Sequence, residues 1–366
     1  MMLASLSLLV FAAPAQEQDL GTVLQLPAVG SPEALESQEA FRTWSDGLEE
    51  VPFTPFALDY RFDGKLRVLD PSDGTDMDGS FTATGSSLYI KLNEFHHAME
   101  ITLSMDGETR KVPVDILFGG DRVELHVGAL PDADLPDGVT VTVSQPLLEE
   151  AYLLYLELMP QMMNMFAGEP GMEFVPDMSG LFEELVMLMP PDLPTYIHPA
   201  GMFRYGLRSF TCRQFQLKDG IVEAQLILDT QEGSILDSII KQAATLFGEF
   251  EEEDLEMAEV QEIIDQMADA MQIHAKFDAV TGIPVFLEMD MEISQETFGE
   301  EGEEGEAHLQ FRYEGQLLRL TDPSSLRFDA PEASENSIDV TGFLQMGVAQ
   351  IRSMLDELES GEDMDF

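Results

Sequence analysis

Residues 56–68 read Phe-Ala-Leu-Asp-Tyr-Arg-Phe-Asp-Gly-Lys-Leu-Arg-Val, and this stretch decides the fold class. Its large apolar residues stand at every second position, with Asp59 and Arg61 between them. A period of two is typical of a β-strand that has one buried face and one wet face. The dipeptide Asp63-Gly64 favours a tight turn, so we predict a β-hairpin that turns at this point.

The same alternation recurs along most of the chain. Strand patterns occupy the segments 88–92, 99–105, 112–118, 123–127, 202–217, 222–228, 273–277, 285–293 and 307–320. Dipeptides that favour turns, such as Asp106-Gly107, Gly119-Gly120 and Thr281-Gly282, separate several neighbouring runs. Short strands joined by such turns predict an antiparallel sheet made of consecutive hairpins.

A second stretch resembles the first one. Residues 311–317 read Phe-Arg-Tyr-Glu-Gly-Gln-Leu, against Tyr-Arg-Phe-Asp-Gly-Lys-Leu at 60–66. A duplication and the convergence of two amphipathic hairpins both explain this similarity, and the sequence does not distinguish them.

Other parts of the chain have helical periodicity. Residues 31–50 predict a helix with Pro32 in its first turn, and two helical inserts, 146–189 and 234–272, interrupt the strands. The fold class is therefore α+β. We expect a strongly curved antiparallel sheet, an incomplete β-barrel, that is covered by the helices inserted mid-chain.

The ends of the chain have their own patterns. An apolar run followed by Ala13-Pro14-Ala15 is typical of a cleaved signal peptide, here residues 1–15, although the first basic residue is only Arg42. A mobile apolar tail is the alternative. We expect a flexible mature N-terminus over 16–30, the sheet with its inserts over 31–335, and a C-terminal helix with an acidic tail over 336–366. The expected location is periplasmic or secreted.

Composition excludes several classes of partner. The chain has 366 residues, of which 70 are acidic and 18 basic, so its formal net charge is −52. Phosphate contacts need clustered Lys and Arg, so we expect no nucleic acid partner. Apart from the leader, no stretch approaches the roughly 20 apolar residues of a membrane-spanning helix, so we do not expect an integral membrane protein. The oligomeric state and a saline habitat stay open.

Catalytic and metal-binding motifs are weak. The single cysteine, Cys212, lies in a strand pattern, where a buried inert thiol fits better than a nucleophile. His96 and His97, between Glu94 and Glu100, would point to opposite faces of a strand and would not converge on a metal. The acidic segment 70–79 fits a hairpin turn better than a calcium loop. We expect no catalytic residue, no bound metal and no cofactor.

A methionine-rich region stands out in the first helical insert. Eight methionines fall between positions 159 and 189. Methionine is over-used on adaptable apolar binding surfaces, although it also fills cores. The candidate ligand-binding residues are Met159, Met162, Met163, Phe166, Met178, Leu181, Phe182 and Leu185. They either line a cavity between the sheet and the helices or complete an ordinary core.

Several of these features resemble the periplasmic lipoprotein-carrier superfamily, the LolA/LolB type. The similarity lies in the order of helix, hairpins, inserted helices and further hairpins over residues 31–335. It also lies in Gly79-Ser80-Phe81 with a later Met105-Asp106-Gly107, in Thr281-Gly282-Ile283-Pro284, and in the strand end at 326–331. The resemblance implies an incomplete antiparallel barrel with a helical lid, whose apolar interior holds lipid or acyl chains.

These patterns lead to one functional expectation. We expect an exported, non-catalytic binding or carrier protein for an apolar ligand, which is a lipid, an acyl chain or a lipidated protein. The alternative is a structural or protein-interaction domain of the cell envelope with a filled core and no ligand. An acidic secreted hydrolase would need a convergent cluster of carboxylates or histidines.

Overall fold

The computed structural model describes residues 27, 31–48, 51–70, 75–105, 108–129, 138–167, 189–229, 271–294, 306–322 and 336–360. These residues form an α+β protein around one 12-stranded sheet. The sheet is antiparallel except for one short parallel pair, and it is open, because its two edge strands do not pair with each other. The predicted α+β class and the antiparallel sheet are confirmed.

The strands form two meanders that meet at the centre of the sheet. They are β1 (Phe56–Asp70), β2 (Thr75–Lys91), β3 (Glu94–Met105), β4 (Glu108–Gly119), β5 (Arg122–Val127), β6 (Val139–Ser144), β7 (Phe210–Lys218), β8 (Ile221–Leu228), β9 (Gln272–Asp278), β10 (Pro284–Ser294), β11 (Glu306–Arg319) and β12 (Ser337–Asp339). Their order across the sheet is β12-β6-β5-β4-β3-β2-β1-β11-β10-β9-β8-β7. Because β1 pairs with β11, strands from the two ends of the chain stand side by side.

The helices are α1 (Pro32–Gly47), α2 (Gln145–Ala167), α3 (Leu193–Ile197), α4 (Pro199–Gly206) and α5 (Thr341–Ser360). The Ser31 side chain caps α1 by accepting a hydrogen bond from the Ala34 amide, and Pro32 follows in the first turn. Helix α1 agrees with the helix predicted over 31–50, and α2 agrees with the first part of the insert predicted over 146–189. In α3, Asp192 plays the capping role for the Thr195 amide.

The turn predicted at Asp63-Gly64 is wrong. Strand β1 runs through this dipeptide without interruption. Asp63 is 3% exposed and accepts hydrogen bonds from Arg61 and from the Thr82 hydroxyl, which fixes it in extended backbone. Gly64 is there because a Cβ at this position would lie 2.1 Å from the Phe81 ring. The glycine makes room for a neighbouring side chain and does not turn the chain.

The two similar stretches pair with each other in antiparallel register. Tyr60 stands opposite Gly315, and Gly64 stands opposite Phe311. The motif is thus complementary to itself: the aromatic residue at its start meets the glycine of the other copy. Charge follows the same rule, because each arginine faces the acid of the other copy, Arg61 opposite Glu314 and Arg312 opposite Asp63.

Other sequence predictions need correction. The strand expected from position 202 begins only at Phe210, because α4 and a 3₁₀ turn (Leu207–Ser209) occupy 199–209. Pro199 starts this helix, where its missing N–H costs nothing. Strands β6 and β12 and helices α3 and α4 were not predicted. Residues 168–188 and 230–270, which hold most of the predicted helical inserts, lie outside the described residues.

Two apolar clusters form the core. The first contains Phe56, Tyr89, Phe95 and Phe118 from β1–β4, with Leu193 of α3 and Ala200 of α4 among its other members. The second joins Phe41 of α1 to residues of β7–β9 such as Cys212, Val222 and Phe277. Both clusters lie on one face of the sheet, since Leu287 on β10 stands opposite Ala275 of the second cluster and opposite Tyr313 of the first.

Candidate functional site

One face of the central strands is apolar along most of its length, and charged residues in the same register flank it: Arg319 on β11 pairs with Phe56, and Arg110 on β4 pairs with Leu103. This surface, called the inner face below, consists of residues that pair with one another across β3, β2, β1, β11 and β10. Its members are Phe56, Leu58, Tyr60, Phe62, Gly64, Leu66, Val68, Met77, Gly79, Phe81, Ala83, Gly85, Ser87, Tyr89, Phe95, His97, Met99, Ile101, Leu103, Leu287, Met289, Met291, Leu309, Phe311, Tyr313, Gly315 and Leu317. In a chain that is 24% charged, this is a strong segregation.

Burial changes along the inner face. At one end, Phe56 and Tyr89 are 2% and 4% exposed and belong to the first core cluster, which also includes residues of α3 and α4. At the other end, Leu66 and Leu103 are 39% and 46% exposed. The inner face therefore passes from a packed base to an apolar rim that the described residues leave partly open.

Four polar side chains form a hydrogen-bonded chain within this face. Ser87 and His97 stand directly opposite each other on β2 and β3, and the Ser87 Oγ lies 2.6 Å from the His97 Nδ1. The His97 Nε2 lies 2.7 Å from the Tyr60 hydroxyl on β1. The Ser87 hydroxyl also hydrogen-bonds with Tyr89. These four residues, Tyr60, His97, Ser87 and Tyr89, are called the polar chain below.

Every member of the polar chain is neutral near pH 7. Burial lowers the pKa of His97 to about 4, and neighbouring His96 lowers it further. Burial also raises the pKa of Tyr60 and of Tyr89, so both phenols keep their protons. Neutral groups of this kind can orient a polar atom without bringing charge into an apolar surface.

The rings around Tyr60 hold it in place. Its ring stacks on His97 at 5.3 Å between centroids and lies 4.8 Å from the ring of Phe62. A Cβ at Gly85, which pairs with Tyr60, would lie 2.3 Å from the tyrosine hydroxyl oxygen. The glycine on the neighbouring strand therefore provides the space in which this hydroxyl sits.

At the base, His198 anchors the connection between α3 and α4. The rings of Phe53, Phe56 and Tyr89 meet its imidazole edge-on, at centroid distances of 5.0, 5.6 and 5.2 Å. Burial, and then the Arg204 guanidinium, lower the pKa of His198 to about 3. A neutral His198 thus packs as an aromatic residue on the first core cluster.

The predicted ligand-binding residues are not brought together by the described part of the chain. Met159, Met162, Met163 and Phe166 fall within α2, but their side chains lie outside the described residues. Met178, Leu181, Phe182 and Leu185 lie outside the described residues altogether. Their role stays a prediction.

The histidine pair and the cysteine singled out in the sequence have structural roles. His96 and His97 point to opposite faces of β3: His96 lies 3.5 Å from Asp115, and His97 bonds to the polar chain. Among the described residues, no group of three or more His, Cys, Asp or Glu side chains is arranged to hold a metal. Cys212 is fully buried, and burial raises the pKa of its thiol to about 12.

The acidic segment 70–79 lies where β1 ends and β2 begins. Asp70 at the end of β1 pairs with Thr75 at the start of β2. The hairpin interpretation is therefore confirmed for these flanking residues, while 71–74 lie outside the described ranges.

No protein-family model matches the chain, and no curated protein matches it. Within the described ranges, no helix has the length and hydropathy needed to cross a membrane.

Sequence reasoning missed the polar chain. The pattern of the hairpin does not reveal it: Lys91 pairs with Glu94 around the turn at 92–93, which would place Ser87 opposite Ala98, and a register shift between Tyr89 and Lys91 brings His97 there instead. The place of Tyr60 in the polar chain depends on how β1 pairs with β2, so the sequence of the β2–β3 hairpin does not contain it either.

Proposed function

We propose that the chain is an exported, non-catalytic carrier that binds an apolar ligand on the inner face. The ligand is a lipid, an acyl chain or the lipid anchor of a lipidated protein. The observation that carries this proposal is the apolar inner face, which continues past its packed base to the exposed Leu66 and Leu103.

The energetics favour a covered rim. Each Å² of apolar surface removed from water contributes about 25 cal/mol, and large exposed apolar patches usually mark binding sites. We infer that the helices inserted mid-chain, with the methionines of 146–189, cover this surface and adapt to the ligand. The sheet would then be curved around the ligand, as in an incomplete barrel.

A second candidate is a protein-interaction domain of the cell envelope with a filled core. Two side chains of α5 favour it, because Phe343 is 78% exposed and Met346 is 65% exposed. They stand three residues apart and so share one helix face. This function needs no ligand on the inner face.

The test compares charges placed on the two faces of the sheet. Leu66→Glu and Leu103→Glu put a carboxylate on the exposed rim, and Leu318→Glu puts one on the opposite face, where Leu318 is 56% exposed. Binding of a fluorescent fatty-acid analogue, used as its uncharged methyl ester, by the full-length chain is measured by titration.

Leu66→Glu should weaken binding about tenfold or more, because the ligand would bury an unpaired charge, and Leu103→Glu should weaken it less, because its carboxylate stands opposite Arg110 on β4. Leu318→Glu should leave the affinity unchanged, and urea denaturation should show that all three variants fold. Unchanged affinity in both rim variants, or no binding by the wild type, contradicts the proposal.

A further inference from the structure

The polar chain always has one hydrogen to spare. A neutral tyrosine, serine or histidine side chain brings one polar hydrogen each, so Tyr60, His97, Ser87 and Tyr89 bring four hydrogens together. Three hydrogen bonds link the four residues in a row. Each bond uses one hydrogen, and one donor therefore remains at an end of the chain.

The spare donor lies at one of two places, according to the histidine tautomer. If His97 carries its hydrogen on Nε2, the bonds run from Tyr89 towards Tyr60 and the Tyr60 hydroxyl keeps the free hydrogen. If the hydrogen is on Nδ1, the bonds run the other way and the Tyr89 hydroxyl keeps it. Within the described residues, none of the four has a further hydrogen-bond partner.

The two ends have different surroundings. Tyr89 stacks between Phe56 and Phe95 and meets His198, so it lies in the packed base. Tyr60 is 7% exposed and belongs to the same core cluster, but it lies further along the inner face, beside the half-buried Phe62, in the direction of Leu66. An apolar ligand on the inner face would reach the Tyr60 end first.

We propose that the Tyr60 hydroxyl donates this hydrogen to the bound ligand, and that the ligand carries an uncharged acceptor, the carbonyl of an acyl ester or amide. The inference rests on the proposed function and names the ligand class. A buried donor without an acceptor costs about 1–3 kcal/mol, so an acceptor in the ligand is favoured over a plain hydrocarbon. An ionised carboxylate at this position is disfavoured, because Gly85 and Gly315, which stand opposite Tyr60, and the neighbouring Phe62 offer it no charged partner.

The experiment measures how each variant discriminates an ester from a hydrocarbon. Methyl palmitate and an alkane of the same length compete with the fluorescent fatty-acid analogue for the full-length wild type, for Tyr60→Phe and for Tyr89→Phe. Each variant removes one phenolic hydroxyl from the same polar chain. Only Tyr60→Phe removes the one that we place against the ligand.

Tyr60→Phe should lower the ester-to-alkane affinity ratio about fivefold or more, the effect of one neutral hydrogen bond. Tyr89→Phe should keep the ratio within about twofold of the wild type. In ¹⁵N NMR spectra of the wild type, the ester should fix His97 as the Nε2–H tautomer, whereas the alkane should not.

The other outcomes would overturn either the role of Tyr60 alone or the carrier function as well. If both competitors bind and Tyr60→Phe leaves their ratio unchanged, or both variants lower it equally, the role of Tyr60 is wrong and the carrier function stands. If neither competitor nor the fluorescent analogue binds the wild type, both the carrier function and this inference are overturned.

Discussion

Glycines opposite aromatic rings determine how the central strands fit together. Tyr60 lies against Gly85 on one side and Gly315 on the other, and Gly64 faces both Phe81 and Phe311. A glycine inside a strand is normally unfavourable, because it has no side chain to pack. Here the neighbouring rings fill the space above the glycine, which offsets that loss.

Gly85→Ala should therefore destabilise the fold by about 1–3 kcal/mol, the usual cost of overpacking a core. The added methyl group would lie 2.3 Å from the Tyr60 hydroxyl oxygen and 2.6 Å from the Ala98 carbonyl oxygen. Gly79→Ala is the matched control on the same strand and face, because the nearest atoms lie 4.0 Å away. Urea denaturation measures both, and equal effects would show that the fit around Tyr60 is loose.

His97 should remain neutral in the folded protein at pH 5.5. Its pKa lies at about 4 in the folded state, whereas an unfolded histidine titrates near 6.5. The unfolded chain then binds the proton first, so the contribution of His97 to stability decreases as the pH falls from about 6.5 towards 4. The His97 Cε1 resonance, followed by NMR, should not shift between pH 7 and 5.5. A midpoint near 6.5 would mean that His97 is exposed to water.

At the residue scale, the sequence shows the alternation of apolar and polar residues, but it does not show the role of each glycine. The Asp63-Gly64 dipeptide is a strong turn signal in isolation. Its strand conformation depends on contacts with Thr82 and Phe81, which belong to another strand. Thr281-Gly282, by contrast, does turn the chain, because Asp278 accepts hydrogen bonds from the Thr281 amide and hydroxyl within the turn itself.

At the scale of elements, α1 closes the second core cluster. Phe41 is 1% exposed, and the Trp44 indole donates a hydrogen bond to the Ala279 carbonyl in the turn after β9. The Gln38 side chain accepts a hydrogen bond from the Cys212 amide on the edge strand β7. The helix therefore packs on the sheet and also satisfies part of an exposed edge.

Phe41→Ala should lower the free energy of unfolding by about 3–5 kcal/mol, because it opens a cavity between α1 and the sheet. Leu35→Ala, on the same helix at a position that is 60% exposed, should change it by less than about 0.5 kcal/mol. Chemical denaturation followed by circular dichroism compares the two. Similar small losses would mean that α1 is only loosely attached.

Long elements could be predicted from the sequence and short ones could not. The 16-residue α1 and the 11-residue β10 have enough periods to be recognised. Helix α3 has 5 residues and β12 has 3, so neither shows a period. Their structure is set by what they touch: α3 packs on the first core cluster, and β12 pairs with β6.

At the scale of the whole molecule, net charge opposes folding. The acidic side chains that give the formal charge of −52 repel one another more strongly in the compact state than in the expanded chain. Described ion pairs on the face of the sheet opposite the inner face, such as Lys276 with Glu223 and Arg312 with Glu288, offset only a small part of this repulsion.

Added salt should therefore stabilise the protein. Raising sodium chloride from about 0.1 M to about 1 M shortens the Debye length from about 10 Å to about 3 Å. We expect the melting temperature to rise by at least about 5 °C, and by the same amount in choline chloride if screening is the cause. A flat or falling melting temperature would show that self-repulsion is unimportant in the folded chain.

The order of the strands is a property of the whole molecule that local patterns do not contain. Each meander follows from its own hairpins, but the contact between β1 and β11 joins residues about 250 positions apart. The similarity of 60–66 to 311–317 was visible in the sequence, and only the structure shows that the two copies pair. The candidate site depends on the same long-range register, because it brings Tyr60 beside the β2–β3 hairpin.

Native mass spectrometry tests the central claim most directly. The full-length chain is incubated with vesicles of acyl lipids, separated from them, and measured intact, after which bound lipid is extracted and identified. The carrier function predicts one stoichiometric lipid that carries an ester or amide carbonyl, and its loss in Leu66→Glu but not in Leu318→Glu. A mass that corresponds to the protein alone would contradict the account and favour a filled core.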